Sequence, residues 1–325
     1  MLNESIRCLG VSGSEVAAVL GADERQDGFA VWARKKGGLQ PGKPNIRMVT
    51  GKCLEQGVLK LYEYCTDREV RYCDETSQHP QRPWQIYTPD ALCVNERRGV
   101  EAKVVAYDQR HQWGGGPDDI PARVQMQAWW YMSALDFNVW DICALIGGEP
   151  VIYEIERDAE REQDMLARVH AWWERYIQGD ERPPVGGSED SGRWLKQTYP
   201  DVKHPDLVLA TPEQVALLTE YVQLKVQEKE IRKQRGFLEA IFKDAIQDHE
   251  GLSWSEGKFT WKKTKDGKTV QWENMARGLL NQYVKDEETR LAMTALYTVP
   301  KAGIRRIWCD HADLRNAGEL VEAAV

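Results

Sequence analysis

Long apolar runs are missing from this 325-residue chain. A membrane-spanning helix needs about 20 consecutive apolar residues, and no stretch approaches that, so no membrane role is expected. Paired cysteine motifs are missing too. The seven cysteines (Cys8, Cys53, Cys65, Cys73, Cys93, Cys143 and Cys309) are scattered, odd in number and without a C-x-x-C pair. That pattern argues for a reducing compartment and against a zinc site or an iron–sulfur cluster. The N-terminal Met1-Leu2-Asn3-Glu4-Ser5 has no signal-peptide architecture, which gives a cytoplasmic expectation. A positive balance is also lacking: 43 Lys and Arg against 51 Asp and Glu leave a formal net charge of −8. Phosphate contacts supply most non-specific nucleic-acid affinity. A DNA-binding chain of this composition therefore needs its basic charge to be local, or its carboxylates offset by metal ions. Arg34-Lys35-Lys36, Lys262-Lys263 with Lys265 and Lys268, and Arg305-Arg306 are the candidate runs, each of which also reads as a solvated charge run. There is no internal repeat.

Tryptophan is plentiful, at 13 residues. Trp129, Trp130, Trp140, Trp172 and Trp173 fall in apolar periodic segments and read as core. Trp32 and Trp113 read as core or interface, with base stacking as the functional alternative.

The segment from Ile86 to Val105, IYTPDALCVNERRGVEAKVV, carries the most chemistry. Strand side chains alternate with period 2, so Glu101 and Lys103 share a face and Ala102 turns away. If the segment before Glu101 doubles back as a hairpin, Asp90 comes alongside it. Two carboxylates then suit a hard divalent cation, with the Ala102 carbonyl as a further ligand and an ammonium beside them. That set suits cleavage of a phosphodiester by water. The bare spacing also describes a surface hairpin with an ordinary exposed Glu101–Lys103 pair.

Two helix-related features add to this. Ser12-Gly13-Ser14 precedes the helix-like Glu15–Leu20 segment, which ends at Gly21. Its free N–H groups suit an anion, and Arg7 lies five residues before Ser12; the plain alternative is an N-cap by Ser12 or Ser14. Further on, Pro121 opens a helical stretch containing Gln125 and Gln127, which read as a solvated face or, for Gln127, as a hydrogen-bond partner of a metal-bound water or a phosphate.

Along the chain, residues 1–180 read as mixed α/β. A helix is expected over Leu54–Cys65, and strands around Glu69–Cys73, Trp84–Tyr87, Ala91–Asn95 and Val100–Val105. The Pro121 helix, strands Val139–Ile146 and Val151–Ile155, and a helix over Glu160–Gln178 follow. Residues 181–211, rich in Pro, Gly, Ser and Asp, read as a linker or extended arm. Thr211-Pro212-Glu213 starts a long amphipathic or coiled helix reaching about Asp248. A hairpin is expected from Lys258–Lys263 to Thr269–Trp272 through Asp266-Gly267. A helix and a last strand near Arg305–Trp308 would close the 212–325 extension.

The ordered set of segments resembles the lambda-exonuclease and YqaJ-type phage recombination nucleases, a branch of the PD-(D/E)XK superfamily. The matching stretches are Arg7–Val16, Gly51-Lys52-Cys53-Leu54-Glu55, Thr88-Pro89-Asp90 with Val100-Glu101-Ala102-Lys103, Val124–Gln127, and the strand ending Tyr153–Asp158. The resemblance implies an α/β restriction-endonuclease-like core, a central mixed sheet flanked by helices, followed by a long-helix and hairpin extension. It implies that Asp90 and Glu101 are metal ligands, that Glu55 sits near the metals directly or through water, and that Lys103 is the catalytic lysine. Gln127 would be the glutamine of the helix after the catalytic strand, with Gln125 its neighbour. Arg7, Ser12 and Ser14 would grip a terminal 5′-phosphate. Ala91 departs from the family, where glycine is common.

The implied activity is that of a Mg²⁺-dependent exonuclease, with Mn²⁺ able to substitute and two ions per site. It would digest the 5′-ended strand of duplex DNA and leave a 3′ single strand for an annealing protein. A homotrimeric ring and a bacterial host cytoplasm are further expectations from the resemblance. A nuclease of other polarity, an endonuclease and a non-catalytic DNA-binding scaffold are the alternatives.

Overall fold

The computed structural model describes residue 6 and residues 8–40, 42–263 and 271–298. Arg7, Lys265, Lys268, Arg305, Arg306, Cys309 and the expected last strand lie outside them. The chain divides into two units, Met1–Pro200 and Asp201–Val325.

In the first unit, β1 (Val11–Ser12) leads into α1 (Gly13–Val19), followed by α2 (Gly28–Lys35) and α3 (Ile46–Thr66). Four short strands come next: β2 (Val70–Tyr72), β3 (Ser77–Gln78), β4 (Gln85–Tyr87) and β5 (Ala91–Cys93). Then come β6 (Arg98–Val105), α4 (Ala122–Leu135), β7 (Val139–Ile146), β8 (Glu149–Glu156), α5 (Ala159–Trp172) and α6 (Glu189–Thr198). The main sheet runs β2-β5-β6-β7-β8, and β1-β4-β3 forms a smaller one. In the main sheet β6 and β7 are parallel and the other neighbours antiparallel. This is the expected central mixed sheet. A parallel pair needs a crossover, and the segment holding α4 supplies it.

Alternation along β6 and β7 sorts side chains between two helical layers. Trp140, Ile142 and Ala144 join Val124, Ala128 and Trp130 of α4 in one buried cluster. Cys143, with Val100, joins Val58, Leu59 and Tyr62 of α3 in the other. Ala102 packs against that second cluster, so Glu101 and Lys103 project toward α4. Gly99 permits the closest approach in this layer, since a Cβ there would fall 2.2 Å from the Trp140 ring. The β7–β8 turn uses Gly147 and Gly148 at φ 65° and 100°, the left-handed geometry that a tight hairpin demands.

Several boundaries differ from the sequence reading. The helix α3 begins eight residues before Leu54, because the Asn45 side chain accepts the Met48 N–H at 3.0 Å and caps it there. Gly51 inside it costs about 1 kcal/mol of propensity, which the cap and the buried face offset. Within 181–211, Glu189–Thr198 is a helix rather than an extended arm. Its Trp194 is 6 % exposed and packs edge-on against Phe29 and Trp32 of α2, so Trp32 is core. Trp113 packs on Tyr153 at 5.8 Å.

In the second unit, α7 (Pro212–Ile246) is capped by Thr211, whose hydroxyl accepts from Gln214. The hairpin that follows is β9 (Gly251–Trp254) with β10 (Gly257–Thr260). The expected hairpin is therefore corrected: Lys258–Thr260 pairs upstream, and Trp272 opens α8 (Trp272–Tyr283), ahead of α9 (Glu287–Leu296). Gly257 after Ser255-Glu256 turns the chain earlier than Asp266-Gly267, which lies outside the described residues. Among the described residues, no helix is long and apolar enough to cross a membrane.

Candidate active site

Asp90 immediately precedes β5, whose Ala91 pairs with Val100 of β6. One step further in this antiparallel register, Asp90 lies beside Glu101. The Ala102 N–H donates to Asp90 Oδ2 at 2.9 Å, which fixes that carboxyl on the strand edge. Lys103 Nζ donates to Glu101 Oε1 at 2.6 Å and to Gln127 Oε1 at 3.0 Å. Gln127, from α4, returns its Nε2–H to Glu101 Oε1 at 2.6 Å. The amide orientation is fixed chemically, because its oxygen must face the ammonium and its nitrogen the carboxylate. A second Nε2–H reaches the Tyr131 hydroxyl at 3.0 Å, and that hydroxyl donates to the Thr88 carbonyl at 3.0 Å. The network thus returns to the Thr88-Pro89-Asp90 segment.

Burial dominates the electrostatics. It pushes Asp90 up to about 8, with Glu101 adding to the rise and Lys103 opposing it. Burial likewise raises Glu101, against the pull of Lys103 and the Gln127 hydrogen bond. Glu101 Oε2 is buried and has no hydrogen-bond partner. An orphaned carboxylate oxygen next to a second strained carboxyl is the chemistry a divalent cation satisfies. The residues therefore fit a hard cation held by Asp90, Glu101 and the Ala102 carbonyl. Among the described residues no three His, Cys, Asp or Glu side chains form a ready metal cage. Mg²⁺, which keeps several waters, needs only one or two carboxylates.

Glu55, on α3, acts on Asp90 and Glu101 through its charge. It is held by Lys52 at 2.7 and 3.0 Å, and Lys52 also feels Asp90 and Asp74. Lys52 and Tyr131 are the residues that sequence reasoning passed over. The signal for Tyr131 was its i+4 spacing from Gln127 on a helix. Gln125 is not brought to the site; its amide donates to the Ile120 carbonyl at 3.0 Å.

At the N-terminal segment, the Glu15 carboxylate accepts from the Ser12 N–H at 3.0 Å and the Ser12 hydroxyl at 2.9 Å. Lys35, its side chain 3 % exposed, pairs with the same carboxylate at 2.8 Å. Ser14 is exposed, its hydroxyl 3.2 Å from that of Ser12. Gly13 lies against Tyr131, where a Cβ would fall 2.7 Å from the ring. This segment therefore abuts the Gln127–Glu101 network. Of the basic run 34–36, Arg34 pairs with Asp190 at 2.7 Å and Lys35 with Glu15, so intramolecular pairs use this charge. A cavity of about 690 Å³ between α4 and α5, lined by Met126, Trp129, Arg161 and Arg168 among others, includes none of Glu55, Asp90 and Glu101. The chemistry points to the strand edge, not to that cavity.

Residues 4–137, which span both the Ser12 segment and the Asp90–Lys103–Gln127 cluster, match a family described as the YqaJ-like viral recombinase domain. This stretch of the chain is similar to the YqaJ-like viral recombinase domain. A curated relative, uncharacterized protein YqaJ of Bacillus subtilis (strain 168), is 24% identical over 245 residues, 74% of this chain and 76% of the relative. Among solved structures, the alkaline exonuclease LHK-Exo from Laribacter hongkongensis is 17% identical at a TM-score of 0.45, covering 54% of this chain and 91% of that one. A phage-related exonuclease from Haemophilus somnus 129PT is 14% identical at a TM-score of 0.43, covering 54% of this chain and 96% of that one. The recombinase-domain match contains Glu55, Asp90, Glu101, Ala102, Lys103 and Gln127, and it stops before β7.

Proposed function

We propose that the protein is a Mg²⁺-dependent deoxyribonuclease that digests duplex DNA ends 5′ to 3′ and leaves 3′ single strands for an annealing protein in phage-type recombination. The observation that carries the reading is the buried Asp90–Glu101–Lys103–Gln127 cluster with its unpartnered Glu101 oxygen. Asp90, Glu101 and the Ala102 carbonyl would hold the cation, with Glu55 beside them; two ions are expected, and Mn²⁺ would substitute. Bound there, the cation lowers the pKa of water and offsets charge building on the phosphate. Lys103 orients the attacking water, and Gln127 holds Lys103 and Glu101 in register. Water adds at phosphorus, the bond to the 3′-oxygen breaks, and the leaving oxygen takes a proton. Arg7, Ser12 and Ser14 would bind the terminal 5′-phosphate and so set the polarity. A homotrimeric ring threaded by duplex remains the expectation from the family resemblance, and would let an acidic protein concentrate its basic charge in an enclosed channel.

A second reading, a nuclease of other polarity or an endonuclease, is favoured by one observation. The Ser12 hydroxyl is already engaged by Glu15, so the 5′-phosphate grip requires a rearrangement at the start of α1. Linear duplex labelled separately at each 5′ and 3′ end, incubated with Mg²⁺ or with EDTA, separates the two. Metal-dependent early release of 5′ label, with 3′ label retained on long strands, supports the first. Early 3′ release or internal cuts support the second. No cleavage with Mg²⁺ or Mn²⁺ leaves a DNA-binding scaffold.

A further inference from the structure

The long helix α7 carries an exposed stripe with alternating spacings of four and three residues: Leu217, Tyr221, Leu224, Glu228, Ile231, Arg235, Leu238 and Phe242. Such spacing keeps side chains on one face of a helix that packs along another. The stripe runs from Leu217 to Phe242, about 38 Å at 1.5 Å per residue. Leu217 is 65 % exposed, Leu224 56 %, Ile231 64 % and Leu238 50 %. An apolar strip of this length marks an interaction surface, not scattered exposure. Phe242 at its end is steadied by Phe259 of the hairpin, ring centroids 5.1 Å apart.

The two charged members of the stripe identify the occupant. Glu228 and Arg235 are opposite in sign and lie on either side of Ile231, three and four residues away. We infer that α7 pairs antiparallel with α7 of a second copy of this chain, about a two-fold axis near Ile231. In that arrangement Glu228 of each copy lies within about one helical turn of Arg235 of the other. The stripe is also chemically self-complementary when reversed, since the Leu217–Tyr221 end meets the Leu238–Phe242 end. Parallel pairing would stack Glu228 on Glu228 and Arg235 on Arg235, placing like charges face to face at two layers. Glu228 already bridges Lys225 and Arg232 within its helix, both at 2.8 Å. Arg235 likewise pairs with Glu239 at 3.4 Å, so these exposed pairs within the helix would exchange for the cross-pair.

Site-directed cross-linking of the full chain tests this, with Cys8, Cys53, Cys65 and Cys309 replaced by Ser and a short bis-maleimide as reagent. Antiparallel pairing predicts a covalent dimer for Ile231→Cys, because the two copies of that residue lie close together. It predicts none for Leu217→Cys, because those residues are separated by more than about 30 Å along the axis. Dimers from both variants mean parallel pairing, and dimers from neither mean that something other than a second copy covers the stripe. Either result overturns the inference. In sedimentation, Glu228→Arg should weaken the association at least tenfold, and adding Arg235→Glu should restore it. Failure of the double variant to recover also overturns the antiparallel register.

Discussion

Glu101 and Gln127 are joined at 2.6 Å across the boundary between β6 and α4, and the same amide accepts from Lys103 at 3.0 Å. One side chain therefore sets the spacing of the carboxylate and the ammonium. Lys103 is in turn held by two acceptors, which leaves its third N–H free to orient water. Replacing Lys103 by Ala should lower cleavage by roughly 10²–10⁴, the range for loss of a positioned proton-handling group. Duplex affinity measured by anisotropy in EDTA should change less than about threefold. Cleavage at the parental rate would remove Lys103 from the mechanism.

Tyr131 supports this arrangement from one turn along α4. Its hydroxyl accepts from Gln127 and donates to the Thr88 carbonyl, each at 3.0 Å. Tyr131→Phe deletes both bonds and keeps the ring that packs against Gly13. The expected loss of stability is about 1 kcal/mol. The maximal rate should fall severalfold with KM for duplex ends unchanged, since the residue positions Gln127 and does not touch DNA. Thermal melting and steady-state digestion check the two halves separately. A change in KM alone would place Tyr131 at the DNA surface instead.

The metal-free protein should be less stable at higher pH across a defined window. The folded state holds the Asp90 proton up to about 8, whereas an unfolded aspartate releases it near 4. Between those values the native state binds more protons than the unfolded one, so stability falls as pH rises. Burial raises Glu101 as well, which acts in the same direction. Melting in EDTA from pH 5 to pH 8 should show this decline, and Asp90→Asn should flatten it. Mg²⁺ should raise the melting temperature more at pH 8 than at pH 5, because it replaces the protons that the carboxylates otherwise retain. An EDTA melting curve independent of pH would show that the two carboxylates are not strained.

Much of the site was legible because strand alternation is a strong constraint. Glu101 and Lys103 share a face whatever the rest of the chain does, and Ala102 turning toward the α3 layer follows from the same period. The strand over Val139–Ile146 was legible for its apolar character at every position but Asp141, the mark of a strand buried on both faces. What was not legible depended on tertiary partners. The helix of Glu189–Thr198 follows a Pro- and Gly-rich stretch and has few apolar residues of its own. It is held by Trp194 against α2 and by Ser191, whose hydroxyl donates to Asp27 at 2.8 Å across the unit. Similarly, the pairing of Lys35 with Glu15 at 2.8 Å turned a basic run that looked available for phosphate into an internal contact. The Lys52–Glu55 pair was equally hidden, since i+3 ion pairs are common on helix surfaces.

That pair leads to a test of how the site is charged. Lys52 holds Glu55 at 2.7 Å and feels both Asp90 and Asp74, so it offsets part of the negative charge that attracts a cation. Removing it by Lys52→Ala should free the Glu55 carboxylate and make the site more electronegative. Because the Lys52 side chain is 76 % exposed, solvent screens much of the effect. The expected change is correspondingly small, a roughly two- to fivefold drop in the Mg²⁺ concentration for half-maximal cleavage. Glu55→Gln should move the same titration the other way, by a larger factor, since it removes a carboxylate whose charge reaches both Asp90 and Glu101. Titrations at two ionic strengths should show both shifts shrinking with salt. If Glu55→Gln leaves the Mg²⁺ requirement unchanged, Glu55 has no part in holding the cation, and the metal site contracts to Asp90, Glu101 and the Ala102 carbonyl.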